Sequence, residues 1–500
     1  MDYRPSAIDH RLSTTNRPST NYDMKNALQI LLLTFLTNAF ANAQDISQPE
    51  ILTLQKSLEI ALQNNLQVKQ GVINTNVSAI KLRQARYNLL PDISADITHG
   101  LNQGRSIDPF SNSYVEQNLK FANLSMGAGI TLFNGLILQN TIKQNSFDYE
   151  ASKMELQQTK DNLTLNVILT YFQILSNEDL LGQLELQAQL TGKQVDRSEL
   201  MNKEGAIIPS QLTDLKGQLA SDQLNIINTK NSLVTSKIAL TQLMNVNYKT
   251  DFKVERLSAE NVANQYGSNP ESIYQSALQQ LATIKASMLK RESAQKAIQI
   301  ARGARLPVLS LYSNLFSNYS SAANTNVFKS STDVQTNSFV TVNGTKLPVF
   351  APLDTYENKS IPYGNQIKNN YSSSFSLGLR IPIFNAWRVR SRVALAKIEL
   401  SSAEISEEST KVQLKQTIDL AWANMLSAHQ RYDISLQQVA FYKESFKSAE
   451  ARFNEGASTV VDYTIAKNNL DRSNISLINS RYDYIFRTKI LDYYQGKLTL

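Results

Sequence analysis

Leu132-Phe133-Asn134-Gly135 returns 251 residues later as Ile383-Phe384-Asn385-Ala386. At the same offset Asn202-Lys203-Glu204-Gly205-Ala206 returns as Phe453-Asn454-Glu455-Gly456-Ala457. Upstream, Ala85-Arg86-Tyr87-Asn88-Leu89-Leu90-Pro91 returns at an offset of 216 as Ala301-Arg302-Gly303-Ala304-Arg305-Leu306-Pro307. A duplication this long sets the architecture before any single residue is considered. Two half-molecules share one body. The change of offset locates an insertion of 35 residues between Pro307 and Phe384.

Working outward from the first motif, the residues before it alternate. Leu124, Met126, Ala128, Ile130 and Leu132 take turns with Ser125, Gly127, Gly129 and Thr131. In the second copy Phe375, Leu377, Leu379, Ile381 and Ile383 alternate with Ser376, Gly378 and Arg380. Period two, with one apolar face and one small or polar face, is a strand. Shorter alternations follow each Leu-Pro, at Ile93, Ala95 and Ile97 and at Leu309 and Leu311.

The residues after the motif read as helix. Segments 110–208, 210–269, 271–306 and 383–500 contain no proline, and proline inside a helix costs about 3 kcal/mol. After Pro209, the residues Leu212, Leu215, Leu219, Ile226, Leu233 and Leu240 form a heptad seam. Adding 251 gives Tyr463, Ala466, Leu470, Leu477, Tyr484 and Leu491. Gly205 and Gly456 each follow a helical run, where a left-handed cap is expected.

The spacing therefore predicts two repeats, 44–270 and 271–500. The first holds helices at about 57–88, 137–204 and 209–245 and strands at about 92–103 and 121–134. The second holds helices at about 272–304, 387–454 and 459–495 and strands at about 308–318 and 372–384. The inserted segment, about 319–371, is rich in Asn, Ser and Thr, carries Pro348, Pro352 and Pro362, and reads as a surface loop.

Residues 24–43 read as a secretory signal, with Lys25, a short apolar run from Ala27 to Leu36, and Ala41-Asn42-Ala43 as the cleavage site. Residues 1–43 are thus an upstream segment plus signal peptide. The apolar run is too short to span a bilayer as a helix, so export with any membrane embedding must use strands. There is no Cys, which excludes disulfides, thiolate metal sites and a lipidated N-terminal cysteine. The formal charge of +7 falls to +6 on cleavage, with acids and bases interspersed. No basic tract with aromatics points to nucleic acid. No phosphate loop, nucleophile elbow or metal-ligand cluster is present and His10, His99 and His429 stand apart, so neither an enzyme nor a cofactor is expected.

Four strands cannot close a barrel, which needs about eight or more. Open edges in a membrane leave unsatisfied backbone groups. Three copies giving twelve strands would close one with room for a channel. The alternative is a water-soluble sheet packed on helices.

The chain resembles the outer-membrane efflux proteins, the TolC-like channels of bacterial tripartite pumps and type I secretion systems. The resemblance covers about 51–500 and rests on the duplicated Ala-Arg-x-x-x-Leu-Pro, the Phe-Asn strand ends, the Glu-Gly-Ala turns and the closing Leu491-Asp492-Tyr493-Tyr494-Gln495-Gly496-Lys497. It implies an α+β membrane protein. In it a duplicated strand pair plus long helical hairpin forms a trimeric twelve-stranded outer-membrane β-barrel continuous with a periplasmic α-helical barrel. It implies a passive export conduit across periplasm and outer membrane. Its partners would be outer-membrane lipid, a periplasmic adaptor (membrane fusion) protein, and an inner-membrane transporter of RND, ABC or MFS type. The alternative function is a periplasmic coiled-coil adaptor or scaffold.

The resemblance also implies a periplasmic gate at the helix turns. Asp462 falls on the first acidic gate position of the returning helix, and Ile465 on the second. In the first half the same two positions are Gln211 and Asp214, and Ser458 stands where the family has a basic closing residue. The competing role for both aspartates is that of helix N-terminal residues favoured by the dipole. Gly205-Ala206 and Gly456-Ala457 are the expected adaptor docking tips. Ser125, Thr131, Ser376 and Arg380 are expected to line the pore. Phe110, Tyr114, Phe121, Tyr312, Phe316 and Tyr319 are candidates for aromatic belts at the membrane interfaces. Glu407 and Glu408 are expected on solvated helix faces.

Overall fold

A computed structural model describes residues 51–107, 112–116, 118–248, 252–256 and 266–497. The signal segment and Phe110 lie outside the described residues. The chain divides into two units. In the smaller, β1 (Ile51–Leu52) pairs in parallel with β6 (Lys253–Val254). All remaining elements belong to the larger.

The larger unit opens with helices α1 (Leu54–Asn64) and α2 (Leu66–Tyr87), where one continuous helix is predicted. Asn65 makes the break. Its backbone is extended (φ −59°, ψ 129°), its Oδ1 accepts from the Gln67 and Val68 amides, and its Nδ2 donates to the Leu243 carbonyl at 3.0 Å. One side chain thus caps the new helix and ties it to another. The same break recurs 216 residues on, where Leu281 (φ −66°, ψ 132°) separates α5 (Pro270–Gln280) from α6 (Ala282–Gly303). Hydrophobic periodicity runs through both breaks, which is why the pattern conceals them.

Strands β2 (Asp92–Asn102), β5 (Leu119–Phe133), β7 (Val308–Ser320) and β10 (Ser372–Arg380) form one antiparallel sheet in the order β10-β7-β5-β2. A minor hairpin, β3 (Arg105–Ile107) with β4 (Tyr114–Glu116), connects β2 to β5. The inserted segment is not a loop. It holds a long hairpin, β8 (Asn324–Val342) and β9 (Thr345–Ser360), followed by the short helix α7 (Tyr363–Asn369). Asn343 and Gly344 turn it with φ of 51° and 84°. Asn-Gly is the strongest two-residue hairpin signal. The Asn/Ser/Thr-rich composition masked it, although Val327, Val334, Phe339 and Val342 had supplied β-formers.

Each strand pair delivers the chain into a long helical hairpin. Two successive left-handed residues make the corner: Gly135 and Leu136 (φ 69° and 63°) in the first half, Ala386 and Trp387 (φ 51° and 60°) in the second. Then come α3 (Ile137–Lys203) with its return α4 (Pro209–Met244), and α8 (Arg388–Asn454) with its return α9 (Val460–Tyr494). At 67 residues each, α3 and α8 extend ~100 Å.

The corner of the first half is held by backbone meeting backbone. A Cβ on Gly135 would lie 2.3 Å from the Gly303 carbonyl oxygen, and one on Gly303 would lie 2.5 Å from that of Gly135. Along the hairpins the packing seam is only partly the predicted one. Leu215, Tyr463, Ala466, Tyr484, Leu240 and Leu491 are buried, but Leu219, Ile226 and Leu233 are only half-buried. The fully buried register of α4 continues from Leu215 through Asp222, Thr229 and Ser236. Small polar side chains bring the helices close, and an apolar-only search overlooks them. A core cluster joins α5, α6, α8 and α9 around Ile273, Ile284, Ile418, Met425 and Tyr484.

Candidate functional site

The first candidate surface is the four-stranded sheet. Directly opposed residues of an antiparallel pair share a face. Ser125 opposes Asp96 and Phe316, Thr131 opposes Ser310, Ser376 opposes Tyr312, and Arg380 opposes Val308. The register therefore puts Ser125, Thr131, Ser376 and Arg380 on one face, together with Ser94, Gly127 and Asn314. The other face carries Ile93, Ile97, Met126, Ile130, Leu311, Leu377 and Leu379. Phe375, Leu377 and Leu379 are all largely exposed in the single chain.

The aromatic residues divide unexpectedly. Tyr319 opposes Ala122 on the apolar face, and its ring packs 4.7 Å from that of Tyr363. Phe121, Tyr312 and Phe316 lie on the polar face instead. The reason is glycine. A Cβ on Gly100 would meet the Phe121 ring, and one on Gly129 would meet the Tyr312 ring at 3.3 Å. These rings cover strand positions that have no side chain. Tyr114 is exposed beneath the Arg105 guanidinium, 5.1 Å from the ring centre.

The second candidate surface is the pair of hairpin tips. Both turns end their helices in the same way. Gly205 and Gly456 are left-handed, at φ 70° and 71°. The Ala206 amide donates to the Met201 carbonyl and the Ala457 amide to the Arg452 carbonyl, both at 2.8 Å. Around each glycine the space for a Cβ is open. The tips are joined by a small core of Val195, Leu215, Phe453, Val460 and Tyr463, and the Arg197 guanidinium donates to Asn454 Oδ1.

Asp462 is a capping residue. Thr459 Oγ1 accepts from the Asp462 amide, while the Asp462 carboxylate accepts from the Thr459 amide (3.2 Å), the Thr459 hydroxyl (2.8 Å) and the Ser458 hydroxyl (3.2 Å). The Thr459 hydroxyl, then its amide, hold the Asp462 carboxyl below the ordinary carboxylate range. Capping keeps this exposed group ionised, so cap and charge are compatible roles. Any stability it lends is present above the unfolded-state pKa and lost as pH falls through the folded one. The Thr-x-x-Asp spacing is a capping-box signature legible in the sequence. Asp214 lies exposed one turn into α4, and Gln211 is half-buried at its start. The structure brings Ser458 to Asp462 but gives neither of them a hydrogen bond to Asp214 or Gln211.

Sequence reasoning missed a buried charge network behind the tips. Lys467 Nζ donates to Asp471 at 2.5 Å and lies 3.9 Å from Asp222. The Thr191 hydroxyl donates to Asp222 at 2.6 Å and the Gln218 amide at 2.9 Å. Burial pushes the Asp471 carboxyl above its ordinary range against the opposing pull of Lys467. Glu407, expected on a solvated face, is buried beside Lys411 Nζ (2.6 Å) and Arg291 Nε (3.4 Å). The i,i+4 spacings of Lys467–Asp471 and Glu407–Lys411 were visible, but burial is decided by neighbouring helices.

Among the described residues no group of His, Cys, Asp or Glu is arranged to hold a metal ion, and no helix is long and apolar enough to cross a membrane. The family model described as outer membrane efflux protein matches residues 57–246 and 273–487. The outer membrane protein TolC of Escherichia coli is 23% identical over 470 residues, covering 92% of this chain and 84% of that protein. The Campylobacter jejuni CmeC outer membrane channel superposes with a TM-score of 0.69 at 16% identity, over 97% of this chain and 94% of that one. A CusC structure superposes with a TM-score of 0.71 at 16% identity, over 91% and 95%.

Proposed function

The chain belongs to the outer membrane efflux protein family, and on that premise we propose that three copies close a twelve-stranded barrel whose polar sheet face lines an export channel. The chain is an outer-membrane channel, a passive conduit rather than an enzyme, with its helical part in the periplasm. It takes part in a multi-component pump. The observation that carries the trimer is the sheet. Its four strands have segregated faces and two open edges, β2 and β10. Four strands cannot close on themselves, and an open edge in hydrocarbon costs several kcal/mol per unpaired group. In this reading Ser125, Thr131, Ser376 and Arg380 face the lumen, while Leu377 and Leu379 face lipid.

The hairpin tips form the periplasmic gate. Three copies bring Asp214 and Asp462 to six carboxylates around one bore, with Gln211 and Ser458 beside them. Converging like charges attract cations. Gly205-Ala206 and Gly456-Ala457 dock a periplasmic adaptor, which joins the channel to an inner-membrane transporter of RND, ABC or MFS type. That transporter supplies the energy. The rival reading, a periplasmic adaptor, is disfavoured by the two helical hairpins and the segregated sheet.

Planar-bilayer recordings test the gate. The Asp214→Ala/Asp462→Ala double variant is expected to bring the cation-to-anion permeability ratio toward one and to relieve block by divalent cations. Selectivity and block unchanged from the parent would show that these carboxylates form no acidic ring in the bore.

A further inference from the structure

We propose that β10 of one copy pairs with β2 of the next in a register set by the duplication itself, so that Arg380 faces Asp96 of the partner subunit across the barrel seam. This rests on the trimeric reading and specifies its interface residue by residue.

The two sequence offsets carry strand register within the chain. In the first half Asp92 opposes Gly129 and Ile93 opposes Ala128. Adding 216 to the first member and 251 to the second gives Val308 opposite Arg380 and Leu309 opposite Leu379. Both are observed pairs. The same shifts can then be applied to the contact between halves, where β5 meets β7. There Gly129 opposes Tyr312, Ala128 opposes Ser313 and Leu124 opposes Ser317. Shifted, these become Arg380 with Asp96, Leu379 with Ile97, and Phe375 with Leu101. Because β10 and β2 are opposite edges of one sheet, these pairs form only between copies.

Chemistry agrees with the arithmetic. Arg380 and Asp96 are exposed and have opposite charge, and neither has an ion-pair partner among the described residues. Both lie on the polar face, while Leu379, Ile97, Phe375 and Leu101 lie on the apolar one. Inside the chain the corresponding contact is the Tyr312 ring over Gly129. An aromatic ring over glycine joins the halves, and an ion pair joins the copies. Pairing like edges would bring like charges together, so the pair also selects the correct neighbour.

The same shifts extend to the helices below the sheet. Lys290 of α6 pairs with Glu155 of α3, which sets these two residues at one level. The same shifts set Asn74 of α2 level with Ser406 of the neighbour's α8. At these levels both helices carry exposed apolar residues seven apart, Leu66, Ile73 and Ile80 on α2 and Ile398, Ile405 and Val412 on α8. Each stripe faces the other across the proposed seam.

The cysteine-free chain makes a clean test. Opposed Cβ atoms sit about 4.5–5.5 Å apart, near the reach of a disulfide. Under a copper-phenanthroline oxidant, Leu379→Cys/Ile97→Cys and Phe375→Cys/Leu101→Cys are each expected to link copies into covalent dimers and trimers on non-reducing gels. The crossed combinations, Leu379→Cys/Leu101→Cys and Phe375→Cys/Ile97→Cys, are expected not to. Arg380→Asp should lower the temperature at which the assembly dissociates, and adding Asp96→Arg should restore it. Linking by the crossed pairs, linking by no pair, or no restoration in an assembled trimer overturns this seam and leaves the trimer intact. A chain that never assembles overturns the trimeric reading itself.

Discussion

Gly135→Val is expected to abolish accumulation of assembled protein. Gly135 holds φ 69°, and its Cβ position lies 2.3 Å from the Gly303 carbonyl oxygen and 2.8 Å from Leu306 Cβ. The obstacle is backbone, which cannot rotate away. Left-handed strain and overpacking together cost about 2–5 kcal/mol, against a total stability of about 5–15 kcal/mol for a typical domain. The contrast is Gly205→Ala. Gly205 is equally left-handed but has open space around it, so only the conformational term of about 1–2 kcal/mol applies. Outer-membrane yield of the two variants, measured side by side, checks the distinction. Equal yields would mean that the strand-to-helix corner does not depend on the glycine contact.

The second large effect is at Lys467. Lys467→Ala leaves the buried Asp222 and the half-buried Asp471 without their cation, and breaking a buried pair in this way costs about 3–5 kcal/mol. The loss is expected as a lower thermal unfolding midpoint of the purified protein, with faster amide exchange along α9. Its pH dependence has a defined sign. Burial already raises the Asp471 pKa in the folded state, so the uncompensated charge costs most above that pKa. The deficit shrinks as pH falls through it and the carboxyl takes up a proton. A variant as stable as the parent at neutral pH would show that the network is solvated.

The strands and long helices were legible because strand alternation and proline spacing are local. So were the glycine caps, which need only a helix end and a residue free to turn left. The Asn343-Gly344 hairpin was equally local but lay within a polar composition that suggested a loop. The breaks at Asn65 and Leu281 were not legible, because apolar periodicity continues across them. At the tips, Asp462 is marked by its position after Gly456, and its capping partner Thr459 by the Thr-x-x-Asp spacing. The Lys467 network was beyond the sequence, since Asp222 and Thr191 approach it from two other helices. The Gly135–Gly303 contact joins the two repeats at different offsets, and neither motif alone points to the other.

In the proposed assembly the open edges β2 and β10 close only when three copies meet in the outer membrane. Separate the envelope of cells producing the full chain and run the outer-membrane fraction, unboiled and boiled, on a denaturing gel. A three-chain species is expected without boiling, collapsing to the single chain on heating. A single-chain species found in the soluble periplasmic fraction would contradict this assembly.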